Sequence, residues 1–281
     1  MRITQIPLIA IAALFALHAA AQDTTPAKDF ERTVIERGDG ARLNAYLRRG
    51  AGPTLVLVPG TWGGFWRFEE MIADLPPTLA VAVVELRWQG GNVPPSLDMT
   101  IEQSSDDVLH ALAALKVERF VIAGHSIGGM VAVDIAGRDL PGLAGAIPME
   151  GWTHHTVVDT AFGGVVTADL SPEEEARSQA NRARGRAHLS EEALAAIGTI
   201  WRNWNGYAGL ERSTVPILSL WGDRGKPHPD RAALQIPDRD NIQIGWIKDA
   251  SHGILLEDPA EVARQVTAFM AQFEGAERGR T

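Results

Sequence analysis

The chain has 281 residues, 45% of them hydrophobic and 22% charged, with 28 Gly, 16 Pro and no Cys, a globular composition that argues against disordered, collagen-like and disulfide-stapled architectures. The absence of cysteine excludes thiol catalysis, cysteine-ligated zinc and iron–sulfur clusters, so any nucleophile must carry oxygen or nitrogen. With 26 Lys and Arg against 35 Asp and Glu, a formal charge of −9, the chain offers no basic field for phosphate backbones, and nucleic acid is not an expected partner.

At the N-terminus, Arg2 precedes an apolar run from Ile6 to Leu17 that ends in Ala19, Ala20 and Ala21 before polar Gln22 and Asp23. The run is too short for a bilayer of roughly 30 Å, which needs about 20 apolar residues. It reads as a secretory signal peptide, residues 1–21, cleaved after Ala21. The mature chain is expected to be exported, periplasmic or extracellular, without a membrane span.

Two alternating segments, from Arg32 and from Ala41, flank Gly38, Asp39 and Gly40 and predict a hairpin. Thr54 to Val58, Leu79 to Val84, Arg119 to Ala123 and Val215 to Leu220 are continuous apolar runs of the kind buried on both faces of a sheet. Leu143 to Met149 and Asn241 to Ile247 are weaker members of the set. Helical patterns fall between the strands: Phe68 to Leu75, Thr100 to Leu115, Gly129 to Arg138 and Pro259 to Phe273. Such alternation predicts an α/β fold with a mostly parallel sheet covered on both faces, its active site beyond the C-terminal strand ends. Residues 152–212 break the pattern. They hold no strand signal but two helix starts, with Ser171 and Ser190 as N-caps and Pro172 at a first helical position. They are expected to form a helical cap inserted into a core made of residues 22–151 and 213–281.

The strongest chemical signal is Gly124-His125-Ser126-Ile127-Gly128, which fits the spacing Gly-x-Ser-x-Gly between a buried strand and an apolar helix. A serine on a strained strand-to-helix turn projects its hydroxyl into a pocket, and the flanking glycines let backbones approach it. Ser126 is the predicted nucleophile, with a Gly-rich structural turn as the bland alternative. On these residues the chain resembles the α/β-hydrolase fold family, here an eight-stranded, mostly parallel sheet with the cap after the sixth strand. The segment Val58 to Gly64 is similar to that family's oxyanion loop, with Pro59 in the usual His place. The segment Glu85 to Gly91 is similar to its turn after the fourth strand, with Trp88 in place of a glycine. The resemblance implies that the backbone N–H groups of Thr61 and Ile127 bind an oxyanion.

The family's chain order, Ser then Asp or Glu then His, implies His252 as the base, since Lys248 to Gly253 follows the last strand and Glu257-Asp258-Pro259 opens the terminal helix. Asp223, in Trp221-Gly222-Asp223-Arg224, is the favoured orienting acid, although Gly-Asp is also ordinary turn chemistry. Glu150, at the end of the preceding strand, is the alternative acid or a substrate-facing group. Of the other histidines, His125 is expected to pack or hydrogen-bond beside the nucleophile, His110 to sit on a helix, and His188 and His228 in loop or cap positions. The pair His154 and His155 reads as cap hydrogen bonding before metal binding. Trp62, Trp66, Trp88, Trp152, Trp201 and Trp204, with Tyr207, read equally as an aromatic substrate pocket or as packing between cap and sheet. Arg177, Arg182, Arg184 and Arg186 read first as an exposed helix face and second as a patch for a substrate carboxylate. The implied activity is serine hydrolysis of carboxylic esters, aryl, lactone or sugar esters among them, without metal or cofactor. Amide cleavage or acyl transfer on the same residues comes second, and ligand binding without turnover third.

Overall fold

The computed structural model describes residues 29–167 and 170–273; the expected leader, residues 1–21, lies outside them. The strands are β1 (Glu31–Glu36), β2 (Arg42–Arg48), β3 (Ala51–Val58), β4 (Leu79–Val84), β5 (Phe120–His125), β6 (Leu143–Met149), β7 (Ile217–Gly222) and β8 (Ile242–Ile247). The α-helices are α1 (Glu69–Ala73), α2 (Ile101–Ala114), α3 (Ile127–Ala136), α4 (Val157–Phe162), α5 (Pro172–Arg186), α6 (Glu191–Ile197), α7 (Tyr207–Arg212), α8 (Ile254–Glu257) and α9 (Pro259–Ala271). One sheet takes the order β1-β2-β4-β3-β5-β6-β7-β8. The β1–β2 and β2–β4 pairs are antiparallel, and every pair from β4–β3 to β7–β8 is parallel.

The pleat explains why the central runs are apolar throughout. Successive side chains point to opposite faces, so Leu55 and Leu57 of β3 join Val81, Val83, Val121 and Ala123 in a core under α1 and α9. Val56 and Val58 join Ala82, Val84 and Ile122 in the other core, under α2 and α3. Burying each Val, Leu or Ile among them contributes roughly 1.5–3 kcal/mol.

Element edges shift where local chemistry dictates. Pro216 has no N–H to give the ladder, so β7 begins at Ile217 rather than Val215. The helix expected from Phe68 to Leu75 contracts to α1, because Pro76 disfavours helical backbone at the residue before it. The strand and helix flanking Ser126 both extend toward it, leaving Ser126 alone between β5 and α3.

The α4–α7 segment lies between β6 and β7 as expected, and its helices start where the sequence signals them. Ser171 and Glu174 form a reciprocal capping box at α5, and Ser190 accepts from the Ala193 N–H at α6. Two of its contacts are with the loops that follow β3 and β4. A Cβ on Gly185 would lie 2.1 Å from the Trp62 carbonyl oxygen, so only glycine lets α5 sit against that loop. His188 Nε2 donates to the Trp88 carbonyl at 3.0 Å. Among the described residues no helix is long and apolar enough to cross a membrane.

Candidate active site

Ser126 occupies a backbone conformation that L-residues rarely adopt, φ 56° and ψ −119°. The strain is imposed from both sides. Gly124 and Gly128 are packed so closely that a Cβ on Gly124 would fall 2.2 Å from the Gly128 carbonyl oxygen, and one on Gly128 would fall 2.0 Å from that of Val58. Ile127 opens α3, where the first N–H groups have no intrahelical acceptor. The Gly60 to Gly63 turn packs against Ser126, with the Gly63 N–H donating to the Gly60 carbonyl at 2.8 Å. Gln89 Nε2 donates to that same carbonyl at 2.6 Å, and Trp88 Nε1 to the Thr61 carbonyl at 2.9 Å. The carbonyls on either side of the Thr61 N–H are therefore held by the Glu85 to Gly91 turn, and Thr61 lines the cavity containing Ser126. That turn is rigid for its own reasons. Buried Glu85 accepts from the Phe65 N–H and from Asn44, and Arg87 makes a bidentate ion pair with buried Asp107.

His252 and Ser126 line the same cavity. The carboxylate that meets the imidazole is Glu150, whose Oε2 accepts from His252 Nδ1 at 3.1 Å. Asp223 does not take the place expected of it. Its Oδ1 accepts from the backbone N–H groups of Gly225 at 2.8 Å and Asp249 at 2.7 Å, and its Oδ2 faces exposed His228 at 3.7 Å. Asp223 is thus a turn residue. The cause lies one residue on: Arg224 has a left-handed backbone, φ 55°, and is turned inward, where its Nη1 and Nη2 reach the two Glu150 oxygens at 2.7 and 2.8 Å. The Gly222 N–H gives Glu150 Oε1 a further bond at 2.8 Å. Glu150 itself is at φ 50° with no exposed surface. Burial pushes its carboxyl up, but the hydrogen bonds from Arg224 and His252 and the nearby positive charge outweigh it and hold the pKa at about 2. Glu150 is ionised across the neutral range.

The imidazole is fixed on its other sides as well. His125 Nε2 meets the His252 carbonyl oxygen at 2.7 Å, and since a carbonyl only accepts, Nε2 carries the hydrogen. Burial, then the neighbouring His252 and Arg67, push His125 down to about 3, so it is a neutral donor. The His125 and Trp152 rings flank that of His252 at 5.0 and 5.1 Å. The His252 backbone N–H donates to the Val166 carbonyl of the α4–α5 segment at 3.0 Å. Glu257 accepts from the Ser251 N–H and Oγ and so shapes the loop that carries His252.

The cavity measures about 260 Å³, below the roughly 300–1,000 Å³ of pockets for drug-sized ligands. Its aromatic lining is narrower than the sequence suggests: Trp62 and His125 face it, while Trp88, Trp152 and Trp204 are buried in the packing of helices against the sheet. Trp201 packs edge-on to Trp152 at 5.9 Å, Trp66 lies under the Arg184 guanidinium, and Tyr207 is exposed. A Trp serves packing or binding with the same side chain, and only the fold separates the two. The rest of the wall is mixed: Val166, Leu170 and Leu256 are apolar, and Arg67, Ser178, Asn181, Arg182 and Arg186 with Glu257 are polar. Of the Arg-rich stretch, Arg182 and Arg186 face the cavity, while Arg177 pairs with Glu70 at 2.8 Å. His154 and His155 stack at 4.2 Å, with His154 Nδ1 on Thr156 Oγ1, and no group of three His, Asp or Glu gathers for a metal among the described residues. His110 is exposed on α2. Sequence reasoning missed Arg224, Gln89 and Arg67, because nothing in their local pattern distinguishes an inward from an outward polar side chain.

Comparison with known proteins agrees with this fold. The model of the alpha/beta hydrolase family matches residues 55–265. Among curated relatives, RutD of Enterobacter cloacae subsp. cloacae, a provisionally assigned carbamate hydrolase, is 26% identical over 102 residues, 36% of this chain and 38% of that protein. The match thus spans little more than a third of the relative's length. Among solved structures, the esterase EaEST from Exiguobacterium antarcticum superposes with a TM-score of 0.71 at 17% identity, covering 86% of this chain and all of that one. The enol-lactonase from Burkholderia xenovorans LB400 superposes with a TM-score of 0.67 at 18% identity, covering 85% and 100%. With a family match across most of its length, a serine on a strained turn after β5 and a histidine after β8, the chain belongs to the α/β-hydrolase family.

Proposed function

We propose that this protein is a serine hydrolase acting on carboxylic esters, with Ser126 as nucleophile, His252 as general base and Glu150 as the acid that orients it. The observation that carries the reading is the ionised, fully buried Glu150 bonded to His252 Nδ1 at 3.1 Å beside a serine on a strained turn in one cavity. A serine hydroxyl is a poor nucleophile until a base takes its proton. With Nδ1–H directed to Glu150, the free lone pair of His252 is on Nε2, the tautomer a general base requires. Ser126 Oγ attacks the ester carbonyl as His252 takes its proton. The backbone N–H groups of Thr61 and Ile127 receive the oxyanion, each such donor being worth roughly 2.7–4 kcal/mol in barrier. His252 then protonates the departing alcohol, and water repeats the sequence on the acyl-enzyme to release the acid.

The fold neighbours, an esterase and an enol-lactonase, agree with ester chemistry, and a carbamate, the substrate class assigned to RutD, would be cleaved by the same acyl steps. Export is part of this proposal, with cleavage after Ala21; intact-mass detection of Met1 in the exported protein contradicts it. The activity is tested with 4-nitrophenyl acetate and butyrate, wild type beside Ser126→Ala, with fluorophosphonate labelling of both. Turnover and labelling that vanish together in the variant support the reading. Equal turnover in the two proteins, or a wild type that neither turns over nor labels, overturns it.

A further inference from the structure

The cavity wall carries a charge that ester cleavage does not use. Three guanidinium groups, Arg67, Arg182 and Arg186, line it with Ser126 and His252. Carboxylates neutralise the buried arginines elsewhere, Arg87 with Asp107 and Arg224 with Glu150, and the more exposed Arg138 and Arg177 pair with Asp134 and Glu70. Arg67, Arg182 and Arg186 have no carboxylate partner among the described residues. The acid on the same wall, Glu257, is already bonded to the Ser251 N–H and Oγ. Glu70, the other acid near Arg67, is held by Arg177.

This concentration of positive charge stands out in a chain of net charge −9. Arg67 is half-buried, and burial together with the nearby Arg182 and Arg177 pushes its pKa down; a buried cation beside other cations is costly unless an anion joins it. The arrangement is fixed by the fold. Arg67 follows the Gly60 to Gly63 turn, where the Gly63 Cβ position lies 3.1 Å from Arg67 Cγ. Ser178, Asn181, Arg182 and Arg186 recur at helical spacing on the face of α5 that the Gly185 contact holds against Trp62. Arg186 also lies over the Trp62 ring at 5.3 Å. Planar guanidinium forks match the paired oxygens of a carboxylate, and neighbouring Ser and Asn side chains add neutral hydrogen bonds.

We propose that the substrate is an ester that also bears a free carboxylate, such as a half-ester of a short dicarboxylic acid, held by Arg67, Arg182 and Arg186 while Ser126 attacks the ester carbonyl. The inference rests on the esterase reading for its chemistry but not for its binding site. One cavity of about 260 Å³ lined by the three arginines and Ser126 favours a compact substrate with the two groups a few bonds apart.

The test compares 4-nitrophenyl hemiglutarate with the isosteric neutral 4-nitrophenyl 5-methylhexanoate, each corrected for spontaneous hydrolysis. The wild type is expected to prefer the charged ester at least tenfold in kcat/KM, chiefly through KM. Arg182→Met and Arg67→Met are expected to cut that ratio at least fivefold, and Arg67→Lys to restore part of it. Arg184→Met, stacked on Trp66 away from the cavity, is expected to keep the wild-type ratio. A wild type without preference, or Arg variants with an unchanged ratio, overturns the proposal. Glutarate binding to Ser126→Ala by calorimetry separates this from the esterase reading. Binding that weakens at least fivefold in Arg182→Met upholds the carboxylate site even where no ester is turned over. No binding, or displacement of glutarate by equimolar inorganic phosphate, refutes it.

Discussion

The reassignment of the acid from Asp223 to Glu150 makes a sharp prediction for Glu150→Gln. The carboxylate accepts four hydrogen bonds: the Gly222 N–H and Arg224 Nη1 on Oε1, and Arg224 Nη2 and His252 Nδ1 on Oε2. A glutamine has one acceptor oxygen and one NH₂. Placing the oxygen at the Oε1 position, where neither the Gly222 N–H nor Arg224 can become an acceptor, puts the NH₂ against His252 Nδ1, which then must accept. That forces the hydrogen onto Nε2 and leaves no lone pair for the Ser126 proton. In serine hydrolases the wrong tautomer costs about 10⁴ in kcat, or roughly 5 kcal/mol at 1.36 kcal/mol per decade. The same change leaves Arg224 buried without its counter-charge, a loss of about 3–5 kcal/mol of stability, so kcat is read per mole of protein shown to be folded by its melting curve. Asp223→Asn keeps one acceptor for the Gly225 and Asp249 N–H groups and touches nothing at His252. It is expected to hold kcat within about threefold and to cost roughly 0.5–1.5 kcal/mol of stability for the weakened turn bond. The reasoning fails if folded Glu150→Gln keeps more than a tenth of wild-type kcat, or if Asp223→Asn is the more damaging change.

Two further outcomes follow from single contacts. Gly185→Ala sets a methyl 2.1 Å from a backbone oxygen that has no rotamer to yield. It is expected to displace α5 from Trp62, cost about 1–3 kcal/mol of stability and lower kcat/KM about tenfold; wild-type melting and kinetics would disprove the contact. The His125 imidazole has a folded pKa of about 3 against an ordinary 6.5. Below pH 6.5 the unfolded chain takes a proton that the folded one refuses, so this group's contribution is complete above pH 6.5 and is lost as pH falls toward 3. The slope is about 1.4 kcal/mol per pH unit. Subtracting urea-unfolding free energies of His125→Gln from those of the wild type between pH 6.5 and 4.5 is expected to expose it, and a difference flat with pH would count against a buried neutral His125.

What the sequence made legible follows from how locally each feature is encoded. The strands of the central sheet announce themselves because both faces are buried, so every position is apolar, and the helix starts of α5 and α6 are written in Ser171 and Ser190. Ser126 is legible because the two glycines at its flanks answer steric demands within a few residues. Glu150 and Asp223 are a different case. Both end adjacent strands, and the choice between them rests on which way the β7 turn rolls, decided by Arg224 adopting a left-handed backbone and binding across to β6. That contact joins residues 74 positions apart and leaves no periodic trace. The tryptophans fail for a related reason: burial against the sheet and exposure to the cavity demand the same apolar side chain.

Gln89 shows how far a site depends on residues that never meet substrate. The peptide unit linking Gly60 and Thr61 is planar and trans, so its C=O and N–H point in opposite directions. Gln89 Nε2 and the Gly63 N–H hold the oxygen end at 2.6 and 2.8 Å, and Trp88 Nε1 holds the next carbonyl at 2.9 Å. With the oxygens pulled toward the Glu85 to Gly91 turn, the Thr61 N–H is left to face the opposite way, where the proposed oxyanion forms. Gln89→Met, which matches the side chain in length, removes the Nε2 donor and also the Oε1 acceptor of the Leu86 N–H. Losing an oxyanion donor outright costs roughly 2.7–4 kcal/mol. Because Gly63 and Trp88 still bind their carbonyls, the expected loss is smaller, about 1–2 kcal/mol in the barrier, or five- to thirtyfold in kcat with KM nearly unchanged. A merely structural role would instead lower the melting temperature and leave kcat per labelled site intact, so the two readings separate in one set of measurements. If the folded variant turns over at the wild-type rate, the Thr61 N–H is oriented without Gln89, and the turn after β4 is packing rather than part of the catalytic apparatus.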